Sequence, residues 1–343
     1  MKRLFASLLC AVLLLSGCAG TVSQQPKRYN ATFLTLFDTV TTIVGFAESE
    51  EEFRAAAQSV HDELLAYHQL FDIYHNYDGI NNLKTVNDNA GISPVTVDRR
   101  IIDLLLDCKY YYEATGGKVN VAMGSVLYLW HEARNDGLDD PANARLPDRA
   151  ALEEAAAHTA PDAIMIDEAA STVFITDPAV RLDVGAVAKG WATERAARNA
   201  PEGLLLSVGG NVRATGAKDE NGSPWLVGIQ DPDNAEEYLR TIYVYAERGS
   251  VVTSGDYQRA YAVDGKVYHH IIDPETLYPS VYWRSVTIVC ADSGAADALS
   301  TALFLMGYEE GLGLLAQFDA EAMWVAADGT IRYSPGFEAL IRT

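Results

Sequence analysis

The chain has 343 residues, with 47 acidic against 26 basic side chains and a formal net charge of −21. That balance excludes general nucleic-acid binding through phosphate neutralisation, and it disfavours a basic-patch contact with anionic lipid. At 49% hydrophobic residues the chain has material for a large core.

Lys2 and Arg3 precede an apolar run, Leu4 to Leu15. The run is shorter than the ~20 residues of a transmembrane helix and reads as the apolar region of an export signal. It ends in Leu15-Ser16-Gly17-Cys18, small residues ahead of a cysteine. This resembles a lipoprotein signal, in which residues 1–17 are removed and Cys18 carries lipid. The alternative is an ordinary export signal with a chance cysteine. Residues 18–30 read as a polar tether and residues 31–343 as one domain. The expected location is the cell envelope, with the lipid holding the protein at a membrane. Cys108 and Cys290 sit in apolar contexts and read as buried free thiols, with a single bridge as the alternative.

Thr32 to Phe46, rich in beta-branched residues, predicts a strand. Phe53, Ala57, Val60, Leu64 and Leu65 recur at three and four, predicting a helix over Glu50 to Phe71. Asp98 is placed to cap a second helix to Thr115, closed by Gly116-Gly117. A third helix covers Met123 to Arg134, a polar insertion covers Asn135 to Pro147, and a fourth helix ends at His158. Ala163 to Asp167 and Thr172 to Thr176 predict a hairpin, and Ala186 to Asn199 a helix. Short strands follow at Leu204–Val208, Trp225–Gln230, Leu239–Ala246, Tyr257–Val263, Val267–Ile272 and Ser285–Ala291. Helices Ala295–Met306 and Tyr308–Phe318 and a hairpin near Met323–Tyr333 close the chain. Strands and helices do not alternate strictly, so the reading is α+β with mixed, largely antiparallel sheets and packed helices. His61, His68 and His75 are seven apart and read as a surface stripe, and Tyr110 to Tyr112 as helix-to-sheet packing.

Five polar stretches carry chemistry. Arg181 to Trp191 places Asp183 at a strand end, then Gly185-Ala186 in a close turn, then a helix start with Lys189, a setting suited to an anion. Ser207 to Arg213 contains the Gly209-Gly210 turn. Thr253 to Arg259 offers the Ser254 hydroxyl and the Arg259 fork. Tyr268 to Thr276 sets His270 beside Asp273, a neutral-pH proton acceptor with a carboxylate. Ala296 to Thr301 puts Asp297 and Thr301 four apart on one helix face, an oxygen pair suited to a hard divalent ion. The plainer alternative for that pair is an aspartate satisfying nearby amides and a threonine bonding back to a carbonyl.

Together with Leu36-Phe37-Asp38-Thr39, Tyr74, Gly116 to Val121, Leu129-Trp130 and Gly228 to Pro232, these stretches resemble the ApbE family, the FAD:protein FMN transferases. The resemblance implies an α+β fold of the ApbE or T-fold type, with residues 31–343 as the catalytic domain. It implies transfer of FMN from FAD, the substrate, to a threonine or serine hydroxyl of an exported FMN-domain protein, forming a phosphoester and releasing AMP. It implies Mg2+ held by Asp297, Thr301 and the Ala186 carbonyl. It implies His270 and Asp273 as catalytic residues, with Asp273 positioning the loop. Phe37, Tyr74, Lys118, Val119, Asn120, Asp183, Lys189, Ser254, Arg259 and Ile272 would line the FAD site. Asn120 stands where aspartate is expected, Leu277 where glycine is common, and Phe37-Asp38-Thr39 where Met-Gly-Thr is common. Rival readings are an FAD pyrophosphatase and a non-catalytic flavin-binding lipoprotein.

Overall fold

The structure is a computed structural model that describes residues 26–343. The signal, Cys18 and the first part of the tether lie outside the described residues.

The chain opens with β1 (Lys27–Leu36) and β2 (Thr39–Ala47), an antiparallel pair. One strand over Thr32–Phe46 is therefore corrected to a hairpin. Its two-residue turn is Phe37-Asp38, with φ of 53° and 51°. A turn made of two left-handed residues matches the twist of the flanking strands. Neither residue is glycine, which is why the beta-branched run concealed it. Lys27 to Asn30 pair with Ala47 to Val44, so the tether does not extend to residue 30.

Next come α1 (Glu50–Phe71), α2 (Leu83–Asp88), β3 (Val95–Thr96) and α3 (Arg99–Ala114). Ser49 caps α1 and Asp98 caps α3 through side-chain oxygens. Then follow α4 (Gly124–Asp139), α5 (Arg149–Ala156), β4 (Ile164–Asp167), β5 (Thr172–Ile175) and α6 (Ala188–Asn199). The third predicted helix is thus longer than expected and absorbs the first residues of the insertion. The strand-rich part runs β6 (Leu204–Val208), β7 (Asn211–Ala214), β8 (Trp225–Gln230), β9 (Tyr238–Val244), β10 (Ser250–Gly255), β11 (Ala260–Val263), β12 (Lys266–His269) and β13 (Ser285–Cys290). The chain ends with α7 (Ser293–Phe304), α8 (Tyr308–Leu315), β14 (Glu321–Val325) and β15 (Ile331–Tyr333).

The main sheet has eight strands in the order β1-β2-β6-β7-β10-β13-β14-β15, every neighbouring pair antiparallel. Helices α1, α6 and α7 cover one face and bury the main core. The β8–β9 hairpin covers part of the other face through Trp225, Val227, Ile242 and Phe337. A third apolar cluster joins α4, α5 and the β11–β12 hairpin through Trp130, Leu152, Tyr261, Ile272 and Leu277.

The histidine stripe is corrected. His61 packs its ring on Phe33, centroids 4.5 Å apart. His68 accepts a hydrogen bond from the Phe37 amide at 3.2 Å, and His75 lies beyond the helix end. Of the tyrosine triplet, Tyr111 is buried and Tyr110 exposed. Cys108 and Cys290 are both buried and free. Among the described residues, no helix is long and apolar enough to cross a membrane.

Candidate active site

Helix α6 starts at Ala188, two residues later than its sequence suggests, and no side chain of its own caps it. The cap comes from α7. Asp297 Oδ2 accepts the Gly190 amide at 2.8 Å. In a regular helix that amide would serve the carbonyl four residues back, at Ala186. The Ala186 carbonyl is left without a backbone partner beside a buried carboxylate.

Asp297 lies on a helix buried nearly all round. Desolvation raises its pKa, while Lys189, with Nζ 3.9 Å from Oδ2, and the Gly190 amide oppose the rise. Thr301 lies one turn on, half-buried and on the same face. A carboxylate, a hydroxyl and a carbonyl would offer only oxygen donors, a chemistry that suits a hard ion such as Mg2+, which keeps waters and takes phosphate oxygens. Among the described residues, no three His, Cys, Asp or Glu side chains form a metal cluster.

Asp183 receives the Gly185 amide at 2.9 Å, an Asx-type turn that sets the 183–187 loop. Desolvation raises its carboxyl, and the Gly185 amide and then the charges of Arg259 and Lys189 oppose that. His270 follows the last residue of β12. Its Nδ1 is buried without a hydrogen-bond partner. Burial pushes its pKa down to about 3, assisted by the positive charges of Arg259, Lys189 and Arg134. His270 is therefore a neutral imidazole ringed by cations. Tyr74 is carried by a turn in which Asp72 accepts the Tyr74 and His75 amides, at 2.6 and 3.1 Å. Desolvation first, and Asp183 next, raise its phenol to about 12. Thus Asp183, Lys189, Arg259, Tyr74, His270 and Asp297 converge from segments across the chain.

Other expected ligand residues are committed elsewhere. Lys118 Nζ pairs with Glu275 at 2.7 Å and Asp273 at 3.4 Å. Asp273 also takes the Glu275 amide at 3.0 Å, and none of its bonds reaches His270. These bonds tie Asp273 to its own loop and to Lys118. Val119 is buried, with its amide spent on Thr115 Oγ1. Asn120 bonds the Thr159 carbonyl and the Ala122 amide, both at 2.9 Å, so its amide group organises the turn. Ser254 Oγ bonds Ser300 Oγ at 2.8 Å and ties β10 to α7. Ile272 belongs to the Trp130 cluster. Phe37 sits in the left-handed β1–β2 turn, its ring edge-on to His68 at 5.6 Å. Leu277 adopts φ 62°, the conformation its glycine alternative would favour, so the turn after Asp273 is retained.

Two site residues escaped the sequence. His131 and Arg134 of α4 stand one turn apart, and the His131 ring stacks on Tyr74 with centroids 5.1 Å apart. Their spacing was the available signal, but an i, i+3 pair on a polar face has no distinguishing pattern. Two surface hollows, of about 340 and 440 Å3, are lined by Gln69, Asn81 and Arg100 and by Tyr308, Arg332 and Glu338, and none of the converging residues lines either.

The profile of the ApbE family matches residues 37–324. FAD:protein FMN transferase of Treponema pallidum is 35% identical over 278 residues, 76% of this chain and 75% of that protein. A Klebsiella pneumoniae protein of the same name is 31% identical over 285 residues, 79% of this chain and 85% of its own. The crystal structure of the ApbE protein from Thermotoga maritima superposes with a TM-score of 0.80 at 29% identity, covering 92% of this chain and 100% of that one. The flavin transferase ApbE from Vibrio cholerae, at 21% identity and TM-score 0.71 over 92% of this chain and 99% of its own, shares the fold.

Proposed function

Because the chain belongs to the ApbE family, we propose that it transfers FMN from FAD to a hydroxyl of a protein acceptor. The observation that carries this reading is the contact of Lys189 with Asp297, together with the effect of its charge on His270. Lys189 Nζ lies 3.9 Å from Asp297 Oδ2, and its charge is among those that depress the His270 pKa. A proton acceptor, a cation and an oxygen donor set for a hard ion thereby share one locus.

The acceptor oxygen attacks the FMN-side phosphorus of the diphosphate. One P–O bond forms, the bond to the AMP phosphate breaks, and AMP leaves. His270 takes the proton of the attacking hydroxyl. Its neutrality keeps it available as a base. Lys189 and Arg259 offset charge on the phosphate oxygens. Asp183, with its carboxyl raised by burial, lies among the same groups and Tyr74, and would help line the FAD site. Mg2+ held by Asp297, Thr301 and the Ala186 carbonyl would supply Lewis-acid charge neutralisation. Asp273 and Lys118 hold the loop that carries His270.

The acceptor is an exported FMN-domain protein carrying a threonine or serine. The enzyme itself is exported and anchored by lipid on Cys18. The Leu15-Ser16-Gly17-Cys18 sequence after an apolar run supports this placement.

The test incubates the protein with FAD, Mg2+ and an FMN-domain acceptor. Flavin fluorescence on the denatured acceptor band, with one AMP per label, is the expected result. Free FMN and AMP without label would identify a hydrolase instead, and intact FAD would overturn both reactions.

A further inference from the structure

Three cations gather at one locus of a chain whose net charge is −21. Arg134 on α4 is half-buried, and among the described residues it has no ion-pair partner. Its guanidinium is desolvated, and the charge acting on it most strongly is a second guanidinium, that of Arg259. Lys189 Nζ donates to the Gly185 carbonyl at 3.4 Å, and its one ion-pair contact among the described residues is Asp297 at 3.9 Å. A desolvated cation beside another cation is electrostatically unfavourable, and an anion between them reverses the sign.

The fold aims Arg134 deliberately. Helix α4 is held at both ends by close approaches that only glycine allows. A Cβ at Gly124 would lie 2.5 Å from the Arg181 carbonyl oxygen, and one at Gly137 2.7 Å from the Tyr261 ring. On that helix, Arg134 Nη2 donates to His131 Nδ1 at 2.8 Å. Burial first, and the Arg134 charge next, lower the His131 pKa, so the imidazole is a neutral acceptor. Its hydrogen then sits on Nε2, which is 3.0 Å from the Asn135 amide. Turned over, that amide presents its oxygen to the hydrogen. His131 is itself held by its stack on Tyr74, planes 27° apart. One of the five guanidinium donors is spent on His131, and the rest of the fork remains uncommitted.

We propose that Arg134 is a phosphate-binding residue of this enzyme, gripping the diphosphate of FAD together with Arg259, with His131 as its positioning residue. The inference rests on the flavin-transfer reading and extends it by adding α4 to the anion site. Phosphate is favoured because a planar guanidinium fork meets two phosphate oxygens at once. The charges of Arg134 and Arg259 also both reach His270, the group proposed to act at the phosphorus.

The test is equilibrium titration of wild type, Arg134→Ala and Arg134→Lys with FAD, ADP and riboflavin. Arg134→Ala should weaken FAD and ADP by about 10- to 100-fold and change riboflavin, which lacks phosphate, by less than about twofold. Arg134→Lys should fall between wild type and alanine, since it keeps the charge and loses the fork. Equal losses for FAD and riboflavin would make Arg134 a structural residue and overturn the proposal, as would unchanged FAD affinity. Wild-type FAD binding tests the flavin reading separately. A protein that bound ADP through Arg134 but not FAD would keep the anion site and lose the flavin. Binding of neither would overturn both.

Discussion

The Gly190 amide donates to Asp297 Oδ2 at 2.8 Å, across 107 positions of sequence. The contact places a carboxylate on the N-terminal turn of α6, where the helix dipole favours negative charge. It also takes from the Ala186 carbonyl the amide that a continuing helix would have supplied. One bond therefore joins α6 to α7, orients the carboxylate and leaves an acceptor oxygen beside it.

Gly190→Ala should break this junction. Its Cβ would lie 2.2 Å from the Ser293 carbonyl oxygen and 2.4 Å from Asp297 Cβ, both too close for a real contact. Alanine is the better helix former by about 1 kcal/mol. Overpacking against backbone costs about 1–3 kcal/mol or more and wins here. A denaturation midpoint at or above that of wild type would show that the helices separate without penalty.

Asp297→Asn keeps an oxygen for the Gly190 amide and removes the charge. Stability without metal should stay level or rise, because burial already disfavours the carboxylate. Mg2+ should raise the melting temperature of wild type by mass action on the folded state, and EDTA should reverse that. The variant should lose this response. Equal Mg2+ shifts in the two proteins would move the metal away from Asp297.

His270 should stay neutral between about pH 5 and 8. Its pKa lies near 3 in the folded chain against 6.5 ordinarily. Between those values the unfolded chain binds a proton that the native imidazole refuses. Stability therefore declines as pH falls from 6.5 towards 3, by up to about 1.4 kcal/mol per pH unit, and is independent of His270 above that window. Histidine NMR should show a ring that titrates only near pH 3, absent from His270→Ala. That variant should lose acceptor labelling by at least about 100-fold and still bind FAD. Unchanged labelling would remove His270 from the chemistry.

Leu277→Gly sets two effects against each other. Glycine relieves the left-handed φ of 62°, a gain of about 1–2 kcal/mol. It also empties a buried leucine site among Ile272 and Trp130, where truncation costs about 2–5 kcal/mol. The lost packing should outweigh the relieved strain, with a net loss of about 1–3 kcal/mol by chemical denaturation. A stabilised variant would mean that strain dominates this turn.

Helices α1 and α3 were legible because the apolar periodicity of the first and the Asp98 cap of the second are local signals. The motif residues Asp183, Lys189, His270, Asp297 and Thr301 were legible for the same reason, each sitting at a strand end, a turn or a helix face that neighbouring residues define. The β1–β2 turn and strands β7 and β10 were not legible. A left-handed pair without glycine, or a strand such as β10 paired on both edges to distant partners, carries no local mark, and β7, closed on β6 by the Gly209-Gly210 turn, is only four residues long. The sequence by itself determined the kinds of groups present and the family they belong to. Only the tertiary structure decided which amide the Asp297 carboxylate would capture and that the Arg134 and Arg259 charges would act on one another, because both depend on packing between helices and strands far apart along the chain.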